Sequence, residues 1–467
     1  MTLTFDPSRR SLRALPGQEL GFELWASGQP DSTLVVEYPP QRGLHGEAFV
    51  VEDTPKPGDG FFQERLKPVP EKLLKCDQDA IEDGYLRKGW RYYYQPPDLR
   101  LAGPAVTRLG RLPKRLWLSL RVPPDQPAGV YQTQLVARAS GREFCLPIEV
   151  EVLGVRPVEP AQDRMLWLRA TLDPRRSQHY VDEAELRWQL RDIRTAGFTS
   201  FSLRERSQRL AQKVLDLASE CGFCGRAVLL QPFPRWLAKL DFHAMQPVLY
   251  VSDEVDAGGN TWEVHHRNLT LARRLYPHWP TMASAVSWQT FSGGGPDIVS
   301  LCLDGGAAPM EMLEAFPQLR PQNTYFYWQT YPEQAMTHRV LAGFGLYKSG
   351  ASGISPYCYQ HRPRYPGSPY NDFEAFERGW SRRRQHMTTY PARRGSVSTL
   401  QWEGLKAGLW DLCLLATRDH YLGPRPGYPQ GLDLKAIQPD RPPEQLGPGQ
   451  LDQWREELFD ELQVAIS

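Results

Sequence analysis

From residue 165 onward, short apolar runs alternate with stretches in which apolar residues recur every three or four positions. The runs at 165–170, 199–203, 227–230, 248–251, 283–288, 298–303, 325–328 and 353–357 read as strands covered on both faces, because they show no polar alternation. Between them the helical period is clear. Asp182 is placed to cap a helix with Glu185 three residues on, Leu186, Leu190 and Ile193 form its apolar stripe, and Gly197 stops it. Leu210, Val214, Leu217 and Ala218 repeat the stripe, as do Leu269, Ala272 and Tyr276. Eight strands in roughly 200 residues, with helices between them, predict a (β/α)8 barrel. The helical pattern is weakest between the fifth and sixth strands, which leaves an incomplete barrel open.

Upstream the period is two. Leu116, Leu118, Leu120 and Val122 alternate with Trp117, Ser119 and Arg121; a Pro-rich turn follows, then a strand from Val130, a tight hairpin at Ser140-Gly141 and another strand from Phe144. Residues 1–158 are therefore expected to form a β-sandwich, although the Pro- and Tyr-rich stretch 43–111 gives no strand order. Residues 159–422 are expected to form the barrel, and 423–467 a turn-rich spacer with a helix packed on it. The fold class is thus multidomain, β followed by α/β: an N-terminal sandwich, a (β/α)8 barrel and C-terminal helices.

Composition narrows the function. Lys plus Arg number 55 against 54 for Asp plus Glu, so no charge excess points to a nucleic acid or an anionic membrane. No run of 18 apolar residues occurs and the first residues show no secretion signal, so a cytoplasmic chain is expected. The seven cysteines are scattered, and Cys221-Gly-Phe-Cys224 lacks two further ligands nearby; a helix stop at Gly222 explains the pair better than zinc. Gly293-Gly-Gly295-Pro lacks the Lys of a phosphate loop, His265-His266 are adjacent rather than four apart, and no Gly-x-Ser-x-Gly occurs. No metal and no cofactor are expected.

The candidate chemistry sits in Pro247-Val-Leu-Tyr-Val-Ser-Asp253-Glu254, an apolar run that ends in carboxylates. In a barrel, the C-terminal strand ends face the substrate, so Asp253 and Glu254 are placed for catalysis; the competing reading is that they cap the next helix. Neighbouring residues of a strand point to opposite faces, so the two converge only if the chain turns near Val251-Ser252. Other mouth positions are Arg169, Trp288, Asp304, Trp328, Tyr331, Tyr357 and Tyr359, whose aromatic and polar groups suit a sugar. An 11% aromatic content tilts the same way.

Three stretches carry a resemblance: Arg115-Leu-Trp-Leu through Val122-Pro-Pro-Asp-Gln-Pro-Ala-Gly-Val-Tyr131, Leu249-Tyr-Val-Ser-Asp-Glu254, and Thr399-Leu-Gln-Trp-Glu-Gly-Leu-Lys-Ala-Gly-Leu-Trp-Asp-Leu412. Together, across 115–422, the chain resembles glycoside hydrolase family 123 and its uncharacterised relatives. The resemblance implies a sandwich before a barrel and hydrolysis of β-N-acetylgalactosaminides, with Asp253 steadying the acetamido group and Glu254 as general acid/base. The chain departs from the family pattern at Val255, where Pro is usual, and at Trp328-Gln-Thr-Tyr331, where Asn is common. The expected partner is a carbohydrate substrate; the alternatives are a sugar-binding protein without turnover, or a glycosidase for sugars lacking the acetamide.

Overall fold

The structure is a computed structural model. It describes residues 4–466 except 7–9, 29–31, 38–43, 56–61, 68–72, 76–91, 95–105, 111–113, 140, 176–178, 256–260, 286–293, 305–312, 314–319, 331–334, 361–387, 393–394, 440–442, 444 and 448.

Among the described residues, a short pair, Leu73–Lys75 with Tyr92–Tyr94, and two five-stranded sheets make the N-terminal part. One runs in the order Thr4–Asp6, Glu19–Ser27, Lys114–Arg121, His45–Pro55, Phe62–Lys67; the other runs Arg10–Ala14, Arg142–Val152, Gly129–Ala139, Ser32–Glu37, Val106–Gly110. The two-residue period translates directly into register: Leu116 lies opposite Leu24, Leu118 opposite Phe22, and Leu120 opposite Leu20. These side chains share one buried cluster with Leu135, Leu146, Ile148 and Val150 of the other sheet, so the two sheets pack face to face. Part of the stretch without a legible order, His45–Pro55, pairs on the far side of Lys114–Arg121.

Eight parallel strands then close a barrel: β1 (Asp163–Leu166), β2 (Ser200–Leu203), β3 (Arg226–Leu230), β4 (Gln246–Val255), β5 (Thr281–Ala285), β6 (Ile298–Cys302), β7 (Thr324–Tyr327) and β8 (Gly353–Ile354). β1 pairs with β8, so the barrel is complete. Helix α1 (Glu183–Thr195) is capped by Asp182, whose side chain accepts from Glu185 N at 2.7 Å, and buries Leu186, Leu190 and Ile193. Helix α2 (Gln208–Glu220) ends at Cys221, with Gly222 at φ +85° where an L side chain would be strained. Helix α3 (Trp262–Leu275) follows β4 and is capped by Thr261, which accepts from Val264 N. Asp253 and Glu254 are therefore not its cap. Among the described residues, two short helices, α4 (Ala335–Ala342) and α5 (Phe344–Ser349), lie between β7 and β8.

The long helix α6 (Leu400–Leu422) and the last helix α7 (Gln450–Ile466) cover the barrel. Gly404 and Gly408, one turn apart on α6, let α4 cross closely: a methyl on either would strike the backbone oxygen of Ala335 or Arg339. Arg339 of α4 is paired to the buried Asp411 of α6 at 2.6 Å. The sandwich docks on the same helix. Trp117, lying across Gly21, packs with Leu400, and Lys406 bonds both Glu19 of the sandwich and Glu403. Trp454, Leu458, Phe459 and Leu462 of α7 join the core around the barrel.

Candidate active site

The geometry of the site comes from two slips in β4. Val248 and Tyr250 face the barrel interior, while Leu249 and Val251 face the surrounding helices. Strict alternation would next put Ser252 inside and Asp253 outside. Instead Tyr250 pairs with Met282 of β5 and Ser252 with the very next residue, Ala283; Val255 then pairs with Ala285. Each slip inserts one extra residue in β4, which is a bulge. The first turns Ser252 outward, where its hydroxyl lies 3.0 Å from His265 Nδ1 on α3, and brings Asp253 inward to accept from the Tyr250 hydroxyl at 2.6 Å. At the second, Glu254 adopts φ +40°, uncommon for a residue with a side chain, and its carboxyl accepts from the Tyr327 hydroxyl of β7 at 3.2 Å. Two adjacent carboxyl groups thus share one end of the barrel. The strand does not stop before them, as the sequence suggests; it bulges through them.

Their surroundings differ in a way that separates their chemistry. Glu254 is half-buried, and burial, followed by the neighbouring Asp253 charge, raises its pKa against the opposing hydrogen bond from Tyr327. Asp253 is exposed. Tyr250 and Tyr327 are buried beside these carboxyl groups, which pushes both phenols well above their ordinary range and keeps them as protonated donors. The Tyr250 hydroxyl also meets Ser284 Oγ at 2.6 Å, so its direction is set from two sides.

A cleft of about 270 Å³ opens above this group, lined by Trp167, Arg204, Gln231, Asp253, Asn268, Tyr327 and Tyr357 among others. Trp167 stands edge-on to Tyr250 and Tyr327, with ring centroids at 4.8 and 6.4 Å, and its indole N–H is buried with no hydrogen-bond partner among the described residues. Burial, then the neighbouring Cys358, pushes the Tyr357 phenol up to about 12 against the opposing pull of Arg169 and Arg204.

Of the sequence candidates, Asp253 and Tyr357 line this cleft; Glu254 lies next to it, bonded to the lining residue Tyr327. Arg169 stands behind Tyr357, bonded to its hydroxyl and lying 3.1 Å from His179 Nε2. Asp304, just past β6, accepts from Gln329 N at 2.9 Å and is not among the cleft walls. Two candidates lie elsewhere. Trp328 is fully buried outside the barrel, donating to His338 Nδ1 at 3.1 Å, because Tyr325 and Tyr327 take the inward phase of β7. Tyr359 is buried against α1, its hydroxyl donating to Asp192 at 2.5 Å. Trp288 and Tyr331 lie outside the described residues. Sequence reasoning overlooked Trp167, Arg204, Tyr250 and Tyr327; the inward phase that selects three of them was readable only once one strand had been anchored. Among the described residues no three His, Cys, Asp or Glu side chains converge as metal ligands, and no helix is long and apolar enough to cross a membrane.

Comparison with models of protein families finds no match, and comparison with curated proteins finds none either. Solved structures do match. A family 123 glycoside hydrolase from Clostridium perfringens superposes with a TM-score of 0.57 at 12% identity, covering 99% of this chain and 98% of that one. A β-D-glucuronidase from Dictyoglomus thermophilum matches at a TM-score of 0.34 and 11% identity over 85% and 90% of the two chains. A Bacteroides ovatus GH5 xyloglucanase matches at 0.30 and 8% over 87% and 100%. At these identities the first likeness is one of fold, a sandwich followed by a closed barrel and its covering helices, and the other two are too slight to add to it.

Proposed function

We propose that this chain is a glycoside hydrolase that cleaves a terminal 2-acetamido-2-deoxy sugar, with Glu254 as general acid/base and Asp253 as the carboxylate that orients the acetamide. The observation that carries the reading is the pair of slips in β4, which bring adjacent carboxyl groups to one end of the barrel and hold them by different phenols. A fold shared with a family 123 glycoside hydrolase supports it. In retaining glycosidases with a protein nucleophile, two carboxyl groups stand about 5 Å apart across the sugar. Two on consecutive residues, on one side of the sugar, suit substrate assistance instead.

In the first step Glu254 gives its proton to the glycosidic oxygen as that oxygen leaves. The acetamide oxygen attacks the anomeric carbon from the other side, closing an oxazolinium ring, and Asp253 accepts the acetamide N–H and balances the positive charge. In the second step ionised Glu254 takes a proton from water, the water oxygen bonds to the anomeric carbon, and the ring opens to the acetamide. The raised pKa of Glu254 suits an acid that must arrive protonated near neutrality. Trp167 and Tyr357 give the cleft an aromatic wall for a sugar. The test is a panel of aryl β-glycosides with and without the 2-acetamido group. Turnover confined to the N-acetyl substrates is expected. Equal turnover of the plain glycosides would assign the site to a different glycosidase, and sugar binding without any turnover would assign it to a binding protein.

A further inference from the structure

Val251, the residue that β4 skips in its register with β5, carries an unusual load on its carbonyl oxygen. Three side chains donate to it: Gln231, just past β3; Asn268 of α3, at 3.2 Å; and its neighbour Ser252, at 2.7 Å. The Ser252 oxygen is itself held 3.0 Å from Nδ1 of His265, which is almost fully buried and lies three residues before Asn268, on the same face of α3. Two other barrel elements therefore converge on the peptide where the strand changes phase. Ordering such side chains costs conformational entropy, and a strand whose carbonyls are met by its neighbours does not need them. At this peptide they decide something. Without them β4 can return to strict alternation, which sends Ser252 inward and turns Asp253 away from Tyr250.

We propose that Gln231, His265 and Asn268 are positioning residues of the active site, clamping the Val251 peptide so that Asp253 faces the cleft on Tyr250 with Glu254 beside it on Tyr327. The proposal rests on the reading of those two carboxyl groups as the catalytic pair, and it makes α3 a part of the catalytic apparatus rather than only a cover for the barrel. It also predicts how the clamp is felt. If Asp253 swings out, Glu254 loses the adjacent negative charge that helps hold its proton, and a misplacement of about 1 Å in such a site costs on the order of 10²-fold in rate.

The test uses Asn268→Leu and Gln231→Met, which keep side-chain volume and remove the donor. Each is expected to fold with the parent's circular dichroism, to lose roughly 10- to 100-fold in kcat with little change in KM, and to shift the alkaline limb of its pH profile to lower pH. A ¹³C-carboxyl titration of Glu254, assigned with Glu254→Gln, should move toward the ordinary glutamate range in both variants. Parent values of both kcat and the Glu254 titration in folded variants would overturn the clamp, whatever their effect on thermal stability. Should Asn268→Leu not fold, Gln231→Met decides alone. A parent enzyme inactive on every glycoside would sink the functional reading, while the titration would still decide the clamp.

Discussion

Glu254 and Asp253 are chemically alike and one bond apart in sequence, and their difference is made by what surrounds them. Burial and the Asp253 charge raise the Glu254 pKa, so the protonated form of Glu254 is favoured in the folded chain. The stabilisation this gives is complete below the unfolded glutamate pKa and is lost as pH rises through the folded one. Under the proposed function, activity follows the same proton: the alkaline limb of kcat/KM should fall above the ordinary glutamate range. Asp253→Asn removes one of the two raising causes, so the limb should move to lower pH as activity drops, and a pH profile of both proteins checks this. Glu254→Gln should lose about 10²- to 10⁴-fold in kcat on substrates with a poor leaving group; parent rates in both variants would place the chemistry elsewhere. The carboxyl pair was legible in the sequence, because charges following an apolar run mark where a barrel strand leaves the covered interior, even though this strand continues through them. The phenols that hold them were not. Barrel strands are covered on both faces, so Tyr325-Phe-Tyr-Trp328 shows no polar alternation to say which residues point inward; Trp328 went to the outer core and Tyr327 to Glu254.

Among elements, helices were the most legible, since a cap and a 3.6-residue stripe mark both ends and face. Asp182 and the stripe Leu186, Leu190, Ile193 are found as the pattern predicts. Strand limits were less legible, and β4 least: Gln246–Val255 extends past both carboxyl groups because bulges let it bend without ending. No local signal marks those bulges, since the groups that meet the first, His265 and Asn268, lie on the following helix and the group that meets the second, Tyr327, lies on β7. The close crossing of α4 and α6 gives a prediction that opposes intrinsic propensity. Gly404→Ala gains roughly 1 kcal/mol of helix propensity, but its methyl meets the backbone oxygen of Ala335, which cannot move aside without shifting α4. Overpacking of this kind costs about 1–3 kcal/mol, more when backbone must shift. The variant should therefore unfold at a lower temperature than the parent by calorimetry; a higher midpoint would show that the helices separate freely.

At the scale of the whole molecule, sandwich and barrel are joined through a buried charge group on α6. Burial opposes ionisation of Glu19, but Lys406 outweighs it and holds the pKa below the ordinary value; Glu403, on the other side of Lys406, is raised by burial. Lys406→Met would strand two buried carboxyl groups, a loss of about 3–5 kcal/mol near neutral pH. The Glu19 contribution exists above its unfolded pKa and disappears as pH falls through its folded one. The difference in denaturation midpoint between parent and variant should therefore shrink toward pH 3, and a constant difference would contradict the charge account. The joined molecule is proposed to turn over an N-acetyl glycoside with the substrate's own acetamide as nucleophile, and one measurement tests that most directly: inhibition by the thiazoline analogue of the oxazoline intermediate, in the parent and in Asp253→Asn. A site complementary to the charge-developed species should bind the thiazoline far more tightly than the plain N-acetyl sugar, and Asp253→Asn should weaken the thiazoline more than the sugar. Thiazoline binding no tighter than that of the sugar, or equal weakening of both by Asp253→Asn, would contradict it.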